Sequence, residues 1–202
     1  MMKKITRIGI TGGIGSGKSL VSGLIEENGF KVLRSDIIAK ELITKDENLK
    51  KKVIKTFGTN AVISGRLNTK FLAEKIFSSK KNVEKINAIV HPPTIKRIEE
   101  LINIEASKSK IIFVESALIY EAKIQKMFDY IILVYSDPKL RIERVVKRDK
   151  VEEADVLKRM KFQSEDEKKK GKADFVIENN STLENLKNNT AFVLGFINSL
   201  TD

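Results

Sequence analysis

The sequence predicts an α/β fold in which a five-stranded parallel sheet is flanked by helices. Three observations carry that expectation. Several short apolar runs are continuous rather than alternating, as strands buried on both faces are. Segments of helical patterning lie between them, the order that builds parallel sheets by crossover. A glycine-rich loop joins the first run to the first helical segment.

The first run, residues 5–11 (ITRIGIT), is rich in β-branched side chains and ends at glycines. The helical pattern at 18–28 stops at Gly29, a helix-terminating residue. A short strand is expected at 31–33 and a helix from Ile37 onward. The runs at 111–114 (IIFV) and 130–135 (YIILVY) read as fully buried strands, and 175–177 (FVI) as a fifth. Helices are expected at 92–107, 138–147 and 183–200. Pro92 and Pro138 would suit the first turn of their helices, where the missing N–H costs nothing.

The spacing is uneven. About 75 residues, 36–110, separate the second and third strands and read as helical. About 40 helical and densely charged residues separate the fourth and fifth. A crossover needs only about a dozen. The expected organisation is therefore a core from 1–35, 111–140 and 173–202, a helical substrate-side insertion at 36–110, and a lid at 141–172.

Composition removes whole classes of function. The chain has 202 residues, 41% hydrophobic and 32% charged, which suits a globular domain rather than a disordered one. No apolar run approaches the ~20 residues of a membrane span. The charged start (MMKKITR) lacks the apolar stretch of a signal peptide, so export is not expected. Zero cysteines exclude disulfides and thiolate chemistry, and the lone His91 excludes a multi-histidine metal site. The net charge of +11 suits either a polyanionic partner or a Lys-rich solvated surface, since Lys outnumbers Arg 30 to 8. Residues 141–172 hold 12 basic and 8 acidic side chains, a local excess where the lid is expected.

Chemistry enters at Gly12-Gly13-Ile14-Gly15-Ser16-Gly17-Lys18-Ser19, which fits G-x-x-x-x-G-K-[ST]. It follows a strand and opens a helix, as a phosphate-binding loop must. Glycines let backbone N–H groups wrap a polyphosphate, and the helix N-terminus adds positive partial charge. Lys18 would reach the β/γ phosphates, and the Ser19 hydroxyl would ligate Mg²⁺. The fold expected is thus of the P-loop NTPase type. No guanine-reading N-K-x-D occurs. A small chain with a helical insertion and a basic lid suits a kinase that excludes water from the γ-phosphate of ATP.

Asp36 directly follows the second strand, where parallel sheets place ligands, and is the first candidate to accept the acceptor hydroxyl's proton; the alternative is that it caps the helix from Ile37. Glu115 ends the third strand and could hold a Mg²⁺ ion through water, or be a surface carboxylate. Arg144 and Arg148 lie four apart and, with Arg141, form a basic ridge; they could close over a phosphoryl group or salt-bridge to Glu143 and Asp149. His91 reads as a helix-start or substrate-side residue rather than a catalyst. A nucleoside or nucleotide kinase is the nearest rival, and a nucleic-acid-stimulated ATPase a more distant one. The latter lacks support, with aromatic residues at 6% and no Trp to form a stacking face. No nucleic-acid or membrane partner is expected, and nothing in the sequence specifies an oligomeric state.

Over nearly its whole length the chain resembles the dephospho-CoA kinase family. Residues 11–19 look like its T-G-G-I-G-S-G-K-S loop, and Ser35-Asp36-Ile37-Ile38-Ala39 resembles its D-A-D-x-I-A segment. Phe57-Gly58, Gly65-Arg66-Leu67-Asn68, Asn87-Ala88-Ile89-Val90-His91-Pro92 and Leu118-Ile119-Tyr120-Glu121 resemble further family motifs. So do Arg144 with Arg148-Asp149, Gln163-Ser164, Glu167-Lys168, and residues 173–179 (ADFVIEN). The resemblance implies a five-stranded parallel core, a helical CoA-binding domain and a lid. It implies cytoplasmic, ATP-dependent phosphorylation of the ribose 3′-hydroxyl of dephospho-CoA, the last step of coenzyme A synthesis. By it, Asp36 is the catalytic carboxylate, Arg144 and Arg148 contact phosphate, ATP lies on Gly12 to Leu20, and Asn179 lies near the adenine. Arg34, Thr69, Ala117 and Leu20 depart from the family pattern.

Overall fold

The structure is a computed structural model that describes residues 5–163 and 166–201. The chain runs β1 (Thr6–Thr11), α1 (Lys18–Glu27), β2 (Val32–Arg34), α2 (Ser35–Lys45), α3 (Glu47–Phe57), β3 (Val62–Ile63), β4 (Arg66–Leu67), α4 (Thr69–Ile76), α5 (Lys80–Glu105), β5 (Ile111–Glu115), β6 (Tyr130–Tyr135), α6 (Pro138–Asp149), α7 (Glu153–Met160), α8 (Asp166–Lys170), β7 (Phe175–Glu178) and α9 (Leu183–Thr201). It divides into two compact units: Met1–Leu33 with Ile104–Asp202, and Arg34–Asn103.

The first unit carries the five-stranded sheet, in the order β2-β5-β1-β6-β7. β1 lies at its centre and pairs in parallel with β5, Thr6 opposite Ile111, and with β6, Ile8 opposite Tyr130. β7 continues the parallel array beside β6. At the other edge, the Phe113 N–H donates to the Lys31 carbonyl at 3.0 Å. The continuous apolar runs are explained by burial on both faces: Ile8, Ile10, Phe113, Ile132 and Val134 are fully inaccessible. α1 covers this core with Val21, Leu24 and Ile25, and α9 with Leu186, Val193, Leu194 and Ile197. Phe30 meets Phe113 edge-on, ring centroids 5.4 Å apart, a favoured aromatic arrangement. The predicted strands and α/β class are all present. Among the described residues no helix is long and apolar enough to cross a membrane.

The second unit has its own core of Ile43, Leu49, Val53, Phe57, Ala61, Leu72 and Val90. Two of its helices, α3 and α4, start on polar caps. The Asp46 carboxylate accepts from the Asn48 and Leu49 N–H groups at 2.8 and 3.1 Å, and Asn68 accepts from Phe71 at 3.2 Å.

Two expectations are corrected here and one alternative is removed. First, Pro92 does not open a helix: α5 starts at Lys80 and runs through both Pro92 and Pro93. Two prolines remove two ladder donors, but Val90, Thr94, Ile98 and Ile102 form one buried stripe at four-residue spacing across them. The Thr94 hydroxyl donates to the Val90 carbonyl at 2.8 Å within the proline turn. Burial of that stripe outweighs the local break. Second, the stretch 36–110 is not wholly helical. β3 and β4 form an antiparallel hairpin, Ile63 opposite Arg66, closed by Ser64 and Gly65 at φ 50° and 75°. Two successive left-handed residues are the signature of a turn whose twist matches its strands. Third, Asp36 is not the cap of α2. Arg34 stands at the cap position, and Asp36 lies in the first helical turn, where a carboxylate meets the positive end of the helix dipole.

Candidate active site

The phosphate loop is built by the turn from β1 into α1. Gly17 precedes the helix at φ 97°, a left-handed conformation, and a Cβ there would collide with the Asn179 side-chain amide. That amide donates to the Ser16 carbonyl at 2.9 Å, so the end of β7 holds the loop's inner side. α1 has neither a side-chain cap nor an acidic residue in its first turn. The positive end of its dipole is therefore not offset by a cap or an acidic side chain of its own first turn, which suits an anion there. Lys18 lies back along the loop, its ammonium donating to the Gly13 carbonyl at 3.2 Å.

The Ser19 hydroxyl donates to the Glu115 carboxylate at 2.9 Å. Glu115 is the last residue of β5, the central strand's neighbour, so the pairing of β1 with β5 brings it to the loop. A hydroxyl and a carboxylate meeting beside a phosphate loop are hard oxygen donors, and they fit a Mg²⁺ ion that takes few protein ligands.

The three arginines of α6 go to three different places. Arg144 donates to the Ser136 hydroxyl at 2.9 Å and to the Asn179 carbonyl at 3.0 Å. Ser136, directly after β6, also donates to the Asn179 carbonyl at 3.0 Å. One cluster thus links α6 to the ends of β6 and β7. Arg148 is turned outward and forks onto Asp149 at 2.7 and 3.1 Å. Arg141 is buried against Asp166 at 2.6 Å, with its Nε donating to the Ile14 carbonyl at 2.9 Å. The ridge expected from spacing alone is therefore split.

The Arg148 hydrogen bond holds the Asp149 carboxyl below its ordinary value, with Arg159 adding attraction at 3.5 Å. A depressed carboxyl contributes stability above its unfolded pKa and loses it as pH falls through the folded one. The melting-temperature deficit of Asp149→Asn should accordingly be present at neutral pH and shrink as acid protonates the carboxylate. A deficit that does not change with pH would contradict this.

Most of the expected ATP-site residues meet in the first unit: Gly12 to Leu20, Glu115, Arg144 and Asn179. Asp36 and His91 belong to the second unit. Asp36 is exposed on the first turn of α2, two residues beyond β2, and His91 is half-buried within α5, just before the prolines. Ser136 and Asp166 are contacts that the sequence reading did not single out, and Gln163 entered it only as part of a motif resemblance. A polar residue directly after a buried strand was an available signal for Ser136. None existed for Asp166, which lies 25 residues from its partner Arg141.

The family model for dephospho-CoA kinase matches residues 6–185. A dephospho-CoA kinase of Fusobacterium nucleatum is 41% identical over 180 residues, covering 89% of this chain and 92% of the relative. A Thermus thermophilus protein of known structure aligns with a TM-score of 0.79 at 31% identity, over 96% of this chain and 98% of its own. The structure of a Campylobacter jejuni dephospho-CoA kinase aligns with a TM-score of 0.69 at 25% identity, over 95% and 96%. By loop, sheet order and length of match together, the chain belongs to the dephospho-CoA kinase family.

Proposed function

We propose that this site transfers the γ-phosphoryl group of ATP to the ribose 3′-hydroxyl of dephospho-CoA, giving coenzyme A, with Asp36, Lys18, Arg144 and Arg148 as its working side chains. The observation that carries the reading is the phosphate loop itself, with Lys18 laid along it and Ser19 joined to Glu115. Gly12 to Leu20 cradle the triphosphate, and Asn179 borders the adenine. Asp36 accepts the proton of the 3′-hydroxyl as the new O–P bond forms and the bond from the γ-phosphorus to ADP breaks. His91 lies on the acceptor side. Lys18 carries charge on the phosphates. Arg144 is already fixed in position, while the fork of Arg148 is transferable from Asp149 to an arriving phosphate, a better bidentate partner. Mg²⁺ would be held by Ser19, with Glu115 on its water shell, and would neutralise phosphate charge. The substrates are small molecules handled in the cytoplasm, with no membrane or nucleic-acid partner.

The test is direct. The purified protein is given ATP and either dephospho-CoA or a panel of nucleoside monophosphates, and ADP release is followed. Turnover confined to dephospho-CoA is expected. Preference for a monophosphate would overturn the acceptor assignment.

A further inference from the structure

The outer side of the phosphate loop is held by residues to which no role has been assigned. The Gly13 N–H donates to the Asp166 carboxylate at 3.1 Å, and the Ile14 N–H donates to the Gln163 side-chain carbonyl at 2.8 Å. Asp166 also accepts from Arg141 at 2.6 Å, while the Arg141 Nε returns to the Ile14 carbonyl at 2.9 Å. Gly13 N–H, Asp166, Arg141 and the Ile14 carbonyl therefore form a closed ring of hydrogen bonds around one stretch of backbone. There is no slack in it: any Cβ on Gly13 would collide with the Arg141 guanidinium.

The ring is buried and balanced in charge. The Arg141 and Asp166 side chains are 6% and 3% exposed. Lys169, 1% exposed, lies 3.3 Å from Asp166 and 3.2 Å from Glu121. Two cations and two carboxylates make a neutral cluster, so Asp166 does not present a net negative charge to a polyphosphate. Buried charges are tolerated only when paired this closely, and such pairs fix geometry more than they add stability. The donors they occupy are on the first half of the loop. α1, on the second half, carries no side-chain cap and no acidic residue in its first turn.

We propose that Asp166, with Arg141 and Gln163, is a clasp that preorganises the phosphate loop for ATP. Asp166 is a positioning residue: it acts through the Gly13 and Ile14 backbone and touches no reacting atom. Two physical effects oppose each other here, and their sign separates the possibilities. Simple electrostatics says that neutralising a carboxylate near the loop tightens ATP binding. Loss of preorganisation says the opposite, because the loop must then be ordered at the expense of binding energy.

The inference rests on ATP occupying this loop. Its test is calorimetric titration of ATP·Mg²⁺ into the whole protein, with kinetics alongside, for two variants. Asp166→Asn keeps the shape and removes the charge. The double variant Arg141→Met with Asp166→Leu removes both charges together, a replacement that buried ion pairs commonly survive. Both should bind ATP about tenfold more weakly, the usual scale for lost supporting contacts. The KM for dephospho-CoA should stay unchanged, and the double variant should melt near the wild-type temperature. Unchanged ATP affinity in a folded double variant would reduce the ring to a fold contact. Tighter binding would make Asp166 a competitor of phosphate. Either result overturns the clasp. Lys18→Ala is the control: if it too leaves ATP affinity untouched, the ATP site itself is wrong.

Discussion

Replacing Lys18 by Ala should lower kcat/KM by ~10³-fold or more, the scale seen when a cation is removed from a transferring phosphoryl group. Lys18 is the first residue of α1, and its ammonium already lies along the loop, 3.2 Å from the Gly13 carbonyl. On the proposed reading the ammonium passes from that carbonyl to the phosphates of the bound nucleotide. The loss should appear in both kcat and ATP affinity if, as proposed, the charge meets the phosphates in the ground state and meets them more strongly in the transition state. Lys18→Arg should not rescue it. A planar guanidinium spreads its charge over a rigid fork and does not reproduce the compact point charge of an ammonium. A coupled ADP assay, with circular dichroism as the check on folding, measures this. Turnover near wild-type in a folded Lys18→Ala protein would refute the phosphate-loop assignment.

The second large effect is expected at Asp36. Asp36→Asn should cut kcat by ~10²-fold or more, the range of a single acid–base group, while ATP affinity stays unchanged. The structure makes this a sharper experiment than sequence alone allowed. Were Asp36 the cap of α2, its removal would also cost stability. Since Arg34 occupies the cap position, the remaining loss is that of a carboxylate at a helix start, about 0.3–1 kcal/mol. A large fall in kcat without a matching fall in melting temperature therefore marks catalysis. Full activity would remove Asp36 from the mechanism.

The sheet was legible in the sequence because burial on both faces leaves a local record. Runs such as IIFV at 111–114 and YIILVY at 130–135 need no partner to be recognised. The loop was legible for a related reason: its geometry demands particular residues at fixed spacing. What misled were features whose outcome is decided elsewhere in the fold. Pro92 and Pro93 obey a local rule that the stripe from Val90 to Ile102 overrides. The β3–β4 hairpin pairs only two residues on each side, too few for alternation to register, although Ser64-Gly65 is a turn signal. Arg141 and Arg144 have similar sequence surroundings yet opposite fates, because Asp166 and Asn179 reach them from distant segments.

The central place of β1 has a consequence for how the protein is made. Thr6 pairs with Ile111 and Ile8 with Tyr130, so β1 finds neither neighbour until about a hundred further residues exist. At the usual pace of translation that interval is roughly 5–20 s. The unit Arg34–Asn103 has a core of its own and can form while β1 waits. The newborn chain must therefore keep an apolar strand and the attached glycine loop unpaired for seconds, and the side-chain amide that grips the loop at the Ser16 carbonyl comes only with Asn179, later still.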